Sequence, residues 1–138
     1  MGKKLVLAMG MILAMNGAVF AQSKKAIREK KIVSTTVKEY FLEEGMDDPV
    51  VESIEKFNEN GDLKEIQVFN KKEEVKKWEK YAYDADGNLV EEVFLDDRGR
   101  IVSTEKTLYR EGLKTEKHYF NSRGDLYKKK VYTYEYSQ

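Results

Sequence analysis

The chain lacks cysteine altogether and has one proline, one histidine and one tryptophan among its 138 residues. Without cysteine there can be no disulfide, no thiol nucleophile and no cysteine-ligated zinc. The lone histidine, His118, does not supply the ligand set of an ordinary zinc site. The fold must therefore be held by its core and its hydrogen bonds.

An excess of one charge is also missing, since 25 basic residues balance 25 acidic ones. A balanced chain offers no electrostatic attraction for nucleic acid or for an anionic membrane. We therefore expect no nucleic-acid partner. The abundance of Tyr, Val and Thr is typical of a folded β-protein rather than of a disordered chain.

Long apolar runs are confined to the N-terminus, where residues 1–21 have the features of a secretory signal peptide. Lys3 and Lys4 precede an apolar run over residues 5–15, and Val19-Phe20-Ala21 fits a small-residue cleavage site. The run is shorter than the ~20 residues of a membrane span. We predict cleavage after Ala21 and a mature, non-spanning chain that is periplasmic or secreted by a bacterium, with an uncleaved N-terminal anchor as the alternative. A lipoprotein anchor is excluded because no cysteine follows the site.

A turn motif organises the rest of the chain, and its clearest copy is Tyr83-Asp84-Ala85-Asp86-Gly87-Asn88-Leu89. The pattern is an aromatic residue or Leu, then Asp or Asn, two variable residues, Gly, a polar residue, and Leu or Ile. Further copies span residues 57–63, 95–101 and 120–126, a shortened copy spans 109–113, and residues 69–75 carry Glu73 in the Gly position.

The chemistry of this motif predicts a hairpin turn. The side chain of Asp84 can accept a hydrogen bond from the backbone two residues on, and Gly87 can adopt the positive φ of a type I turn closed by a G1 bulge. Six such turns at intervals of about 12 to 14 residues indicate an antiparallel meander.

The predicted fold class is all-β, an up-and-down antiparallel meander of about eight strands over residues 32–138. Residues 22–31 form a charged lead-in, expected to be frayed or loosely helical, and residues 42–49 form the longest loop. Charged residues fall on both faces of most strands, which favours a single-layer or strongly curved sheet over a sandwich. The predicted strands span residues 32–41, 50–57, 63–70, 75–83, 89–95, 101–109, 113–120 and 126–136.

Residues 81–89, Tyr-Ala-Tyr-Asp-Ala-Asp-Gly-Asn-Leu, resemble the Tyr-Asp (YD) repeats of RHS-type proteins, which read Tyr-x-Tyr-Asp-x-x-Gly-x-Leu. The shorter copies are similar to the MORN-2 repeats of bacterial antitoxin-like proteins. The resemblance covers residues 57–136 and implies an array of β-hairpins. It implies no one function, because such repeats serve in toxin-encapsulating shells, wall proteins and immunity-like factors. The chain is too short for a shell and lacks the Gly-rich second half of a MORN-2 unit, and no functional residue is carried over.

Metal and catalytic motifs fit poorly. Aligning Gly87 with the invariant glycine of an EF-hand puts Ala82 and Val93 at ligand positions that require carboxylates. Adjacent acidic residues such as Glu91 and Glu92 point to opposite faces of a strand. We therefore expect no metal, no cofactor and no catalysis, and a structural role for His118.

Tyr132, Tyr134 and Tyr136 form the most suggestive feature, because they would share one face of the last predicted strand, with Tyr127 nearby. Such a row, with Lys128 and Lys130 beside it, suits stacking on sugar rings or burial against a protein. The alternative is that the tyrosines cover the sheet's own apolar face. Lysines 128–130 are typical of a protected sheet edge.

The sequence thus predicts a non-catalytic β-repeat interaction module that binds a protein or a glycan of the cell envelope. One alternative is an immunity-like inhibitor of a toxin. Another is a glycan-acting enzyme whose two carboxylates, ~5–9 Å apart, come from separate strands. The pattern is compatible with an open sheet and with a closed barrel.

Overall fold

A computed structural model describes residues 18–44 and 48–138, with side chains from Lys24 onward except that of Glu44. All but the last four residues of the predicted signal peptide lie outside this range. Eight antiparallel strands form one open sheet in chain order, which confirms the predicted all-β meander. The elements are α1 (Ala18–Glu29), β1 (Ser34–Glu39), a 3₁₀ turn (Leu42–Glu44), β2 (Val50–Phe57), β3 (Leu63–Phe69), β4 (Val75–Tyr83), β5 (Leu89–Leu95), β6 (Ile101–Arg110), β7 (Leu113–Phe120) and β8 (Leu126–Val131).

The strand boundaries agree with the sequence pattern except at the two ends of the sheet. The first strand is shorter than predicted, and β8 ends at Val131 instead of at Tyr136. The Tyr132 N–H still donates to the Thr115 carbonyl at 3.0 Å. Thr115 lies only two residues after the start of β7 at Leu113. The residues after Tyr132 therefore have almost no neighbouring strand left to pair with.

The predicted turn chemistry is present in the structure. In the β2–β3 turn, Oδ1 of Asn58 accepts hydrogen bonds from the N–H groups of Asn60 (3.0 Å) and Asp62 (2.9 Å). The same pair of bonds forms on Asn70, Asp84, Asp96 and Asn121. Glu73, in the Gly position of its turn, has a φ of 60°. Five of these turns therefore share two features. The first residue has a side-chain oxygen that accepts two backbone hydrogen bonds, and the fourth residue has a positive φ.

The shortened turn between β6 and β7 has a different geometry. Its two central residues, Glu111 and Gly112, have φ values of 54° and 80°. Positive φ at both positions is the signature of a two-residue type I′ hairpin, whose twist matches that of the flanking strands.

Each hairpin from β2 to β8 also carries one unpaired residue just after its turn. The Phe57–Leu63 pair is followed by the Lys56–Glu65 pair, which leaves Lys64 without a partner residue. Each such bulge increases the local right-handed twist of the sheet. The other unpaired positions are Lys76, Val90, Val102, Thr115 and Tyr127.

The apolar core is small and lies under the helix. Phe57, Leu63 and Ile66 are buried together, and Ile27 of α1 packs against them. Lys24 places its Nζ 2.6 Å from Oδ1 of the buried Asp62. The lead-in predicted to be frayed or loosely helical is therefore a helix docked on the sheet, a contact that its few apolar residues did not reveal.

Paired residues on neighbouring strands share a face, so the register divides the sheet into two faces. We call the side on which α1 packs the helix face, and it includes Ile66, Tyr81, Thr107 and Tyr119. Thr107 and Tyr119 are buried, although the contacts of α1 given above lie at the β2–β3 end of the sheet. Lysine side chains of β7 and β8 lie over Tyr119.

Candidate functional site

A row of polar and aromatic side chains crosses the helix face from β4 to β8. Register pairs link Tyr81 to Glu92, Glu92 to Glu105, Glu105 to Tyr119, and Tyr119 to Lys128. We call these five residues the charged row. The meander places one member on each of five consecutive strands, so side chains 9 to 14 residues apart in sequence become neighbours.

Lys117 joins two members of the charged row. Its Nζ lies 2.8 Å from Oε1 of Glu105 and 3.5 Å from Oε2 of Glu92. Burial lowers the pKa of this ammonium, but the hydrogen bond to Glu105 and the charges of both carboxylates outweigh burial and raise the pKa above its ordinary value. Lys117 is therefore a permanent cation that ties β5, β6 and β7 together.

Glu92 and Glu105 bear on the enzyme alternative, because they are two carboxylates from separate strands on one face. A glycosidase pair must leave room between its carboxylates for the sugar or for water. Here the Lys117 ammonium contacts both groups, so the two carboxylates share one cation within the sheet. This arrangement fits an ion-paired structural element better than an acid–base pair.

Tyrosines at the β4 end of the charged row act as hydrogen-bond donors. The Tyr81 O–H donates to the Glu79 carboxylate, and burial followed by this bond raises the Tyr81 pKa. The Tyr83 O–H donates to the Leu63 carbonyl at 2.6 Å. Burial, with the nearby charges of Asp62 and Glu92, raises the Tyr83 pKa to about 12. Both phenols stay protonated near neutral pH.

Tyr83 belongs to a series of three tyrosines that donate to backbone carbonyls, which the sequence pattern did not predict. Tyr109 donates to the Leu89 carbonyl at 2.8 Å, and Tyr134 donates to the Lys114 carbonyl at 2.6 Å. In each case the acceptor lies 20 residues earlier in the chain. The available signal was the aromatic residue at positions 57, 83 and 109, before every second turn, although Phe57 has no hydroxyl to donate.

We call the four tyrosines predicted to form a binding face, Tyr127, Tyr132, Tyr134 and Tyr136, the C-terminal aromatic surface. They do not form one row on a strand, because Tyr132, Tyr134 and Tyr136 follow the end of β8 and Tyr127 is its bulge residue. Tyr127, Tyr134 and Tyr136 are 61%, 43% and 77% exposed. Tyr132 is half-buried, with the Lys114 ammonium 6.0 Å from its ring centroid. Binding at this surface stays a prediction.

Lysines of β7 and β8 surround the buried ring of Tyr119, next to this surface. The ammonium groups of Lys128, Lys117 and Lys130 lie 4.4, 5.5 and 5.5 Å from the ring centroid. Lys129 points to the opposite face and contacts Glu116 at 3.2 Å. The three ammonium groups around Tyr119 are close enough to the ring for cation–π attraction.

The residues considered for metal binding have partners within their own strands and turns. Nε2 of His118 lies 3.1 Å from Oε2 of Glu116. Both oxygens of Asp84 accept hydrogen bonds inside its turn, and those bonds, led by that from Asn88, lower the Asp84 pKa. In the part of the chain that the structure describes, no three His, Asp or Glu side chains are grouped to hold a metal ion.

The fold and this surface define a single-sheet β-meander with one docked helix and an exposed aromatic C-terminal end. No protein-family model matches the chain, and a search of curated proteins finds no match either. Among residues 18–44 and 48–138, no helix has the length and apolar character needed to cross a membrane.

Proposed function

We propose that the protein is a non-catalytic binding module of the bacterial periplasm or exterior. Its C-terminal aromatic surface would contact a protein or a glycan of the cell envelope. The observation that carries this proposal is the exposure of Tyr127 and Tyr136, at 61% and 77%. The predicted signal peptide supports the location.

The chemistry of these side chains supports a contact with a partner. No hydrogen bond within the described part of the chain uses the hydroxyl of Tyr127 or that of Tyr136, so both can bond to a partner. Leu126 and Val131 of β8 are also exposed, which adds apolar area at the same edge of the sheet. Tyrosine combined with apolar area is enriched where proteins bind one another.

Tyr134 differs from these two residues because its hydroxyl bonds to the Lys114 carbonyl. Replacing it would disturb the sheet as well as the surface. A test of binding should therefore change Tyr127 and Tyr136 and leave Tyr134 in place. Tyr40 offers a matched control, because it is 58% exposed and follows β1 at the opposite edge of the sheet.

The test is affinity capture from a cell-envelope extract with tagged protein. The Tyr127→Ser/Tyr136→Ser variant should lose the captured component, whereas Tyr40→Ser should retain it as the wild type does. Circular dichroism melting of all three proteins checks that they are folded. Equal capture by the folded double variant and the wild type would contradict a role for this surface.

A further inference from the structure

Strand β8 is an edge of the sheet with one free side. Among residues 18–44 and 48–138 it pairs with β7 only, and all six of its residues are exposed. The tail after β8 bonds back to β7 through the Tyr132 N–H and the Tyr134 O–H, so these bonds do not cover the outer side of β8. An edge strand directs the N–H and C=O groups of alternate residues outward, where another strand can pair with them.

Positive charge is concentrated at this edge although the whole chain is balanced. Residues 113–131 contain six basic residues and two acidic ones. Both acidic residues already have cationic partners, Glu116 with Lys129 and Asp125 with Arg123. The β7–β8 hairpin therefore carries a net positive charge that its own carboxylates do not balance.

The three consecutive lysines of β8 present this charge on both faces. Lys128 and Lys130 lie on the helix face near Tyr119, and Lys129 lies on the other face. A strand added beside β8 would place its consecutive side chains next to these three ammonium groups.

We propose that β8 binds an extended acidic segment of a partner protein by strand addition. The backbone of the segment would pair with the free side of β8, and three consecutive Asp or Glu side chains would face Lys128, Lys129 and Lys130. The lysines that repel most other strands would thereby select an acidic one. This inference rests on the proposed binding function and specifies its partner as a protein.

A second copy of this chain fits the edge poorly. Pairing β8 with another β8 would set lysines against lysines, which costs free energy. The other free edge, β1, has a register shift after Val37 and offers one lysine and one glutamate, Lys38 and Glu39. Neither pairing provides the run of carboxylates that complements β8.

The test uses the peptide Thr-Val-Glu-Glu-Glu-Val-Thr and NMR titration of ¹⁵N-labelled protein. Shifts should concentrate on the amides of β7 and β8. A peptide N-methylated at every residue has the same charge but has no backbone N–H to donate to β8 from either edge, and it should bind about tenfold more weakly or worse. The Lys-Lys-Lys counterpart of the peptide should not bind.

Charge exchange provides the matched variant. The variant Lys128→Glu/Lys129→Glu/Lys130→Glu should bind the Glu peptide about tenfold more weakly or worse than the wild type does, and the Lys peptide about tenfold more tightly or better. Because Lys128 and Lys130 contact Tyr119, a melting curve must show that this variant is folded. If it is not, Lys129→Glu, whose side chain lies away from Tyr119, replaces it and should weaken binding of the Glu peptide in the same direction.

Equal binding of the N-methylated and unmodified peptides would overturn strand addition and indicate an anionic ligand, such as an acidic polymer, held by charge alone. No binding of the Glu peptide at millimolar concentration would also overturn the proposal. The proposed function is tested separately, by envelope capture that depends on Tyr127 and Tyr136. A failure of peptide binding at β8 can therefore be distinguished from a failure of the proposed function.

Discussion

Two turn glycines that look equivalent in sequence have different surroundings. Gly61 and Gly87 have φ values of 83° and 85°. A Cβ on Gly61 would lie 2.6 Å from the Lys24 carbonyl oxygen, whereas a Cβ on Gly87 would have nothing within 4 Å. Gly61 is thus required both for the positive φ of the turn and for the close approach of α1, whereas Gly87 is required for the positive φ alone.

We therefore expect Gly61→Ala to destabilise the protein more than Gly87→Ala does. The Gly87 change should cost about 1 kcal/mol or more in left-handed backbone strain, and a bulkier Gly87→Val change somewhat more. The Gly61 change adds a clash that the helix backbone must relieve. Urea unfolding of the two alanine variants measures the difference.

The converse substitution at Glu73 is the control. Its φ of 60° is strained for a residue with a side chain, so Glu73→Gly should leave stability unchanged or raise it slightly. Equal losses at Gly61 and Gly87 would mean that α1 does not approach the turn as described.

The half-buried phenol of Tyr83 makes stability depend on alkaline pH. Its pKa is about 12 in the folded protein, against about 10 in an unfolded chain. Between these values the unfolded state loses a proton that the folded state keeps, so stability falls as pH rises. The stabilisation is complete below pH ~10 and is lost as pH rises through the folded value.

A titration followed by tyrosinate absorbance, together with melting curves from pH 9 to 12, tests this expectation. Tyr83→Phe should flatten the loss of stability, while its stability at neutral pH falls by about 0.5–1.5 kcal/mol for the missing hydrogen bond to Leu63. An unchanged pH profile in the variant would assign the dependence to other groups, such as Tyr81.

At the scale of elements, the hairpins were predictable and the contacts between distant segments were not. Each turn has its own local chemistry, so the Asp84–Gly87 pattern was enough to find it. Docking of α1 depends on Ile27 and on Lys24 reaching Asp62, which lie 30 or more residues from their partners. No periodicity in residues 22–31 marks that contact, and the tyrosine bonds to carbonyls 20 residues away are equally invisible to local patterns.

The docked helix can be tested through Ile27. Ile27→Ala should lower the free energy of unfolding by roughly 1–3 kcal/mol, because Ile27 packs on Phe57, Leu63 and Ile66. Lys25→Ala is the control on the same helix, since Lys25 is exposed and its contact with Glu29 is a loose 3.9 Å. Chemical denaturation of both variants should show a loss for the first only. A similar loss for both would indicate that helix formation, rather than docking, is being measured.

For the whole molecule, the predicted cleavage after Ala21 and the helix Ala18–Glu29 are compatible. Cleavage would leave Gln22 as the first residue and would retain Lys24 and Ile27, the two residues that fasten the helix to the sheet. We expect the exported protein to begin at Gln22. Mass spectrometry of protein recovered from the periplasm or the medium measures this, and recovery of the intact chain would favour the uncleaved anchor.

The tyrosine series also describes how such a chain can change in length. Tyr83 and Tyr109 lie 26 residues apart and each donates to a carbonyl of the strand beside it, so each tyrosine hydrogen bond lies within one two-strand unit. A duplication of residues 84–109 would add two strands with their own turns and tyrosine. The helix end would be unaffected, and the lysine edge would simply move outward. Such a sheet can become wider or narrower by two strands at a time while the docked helix at one end and the lysine edge at the other stay the same.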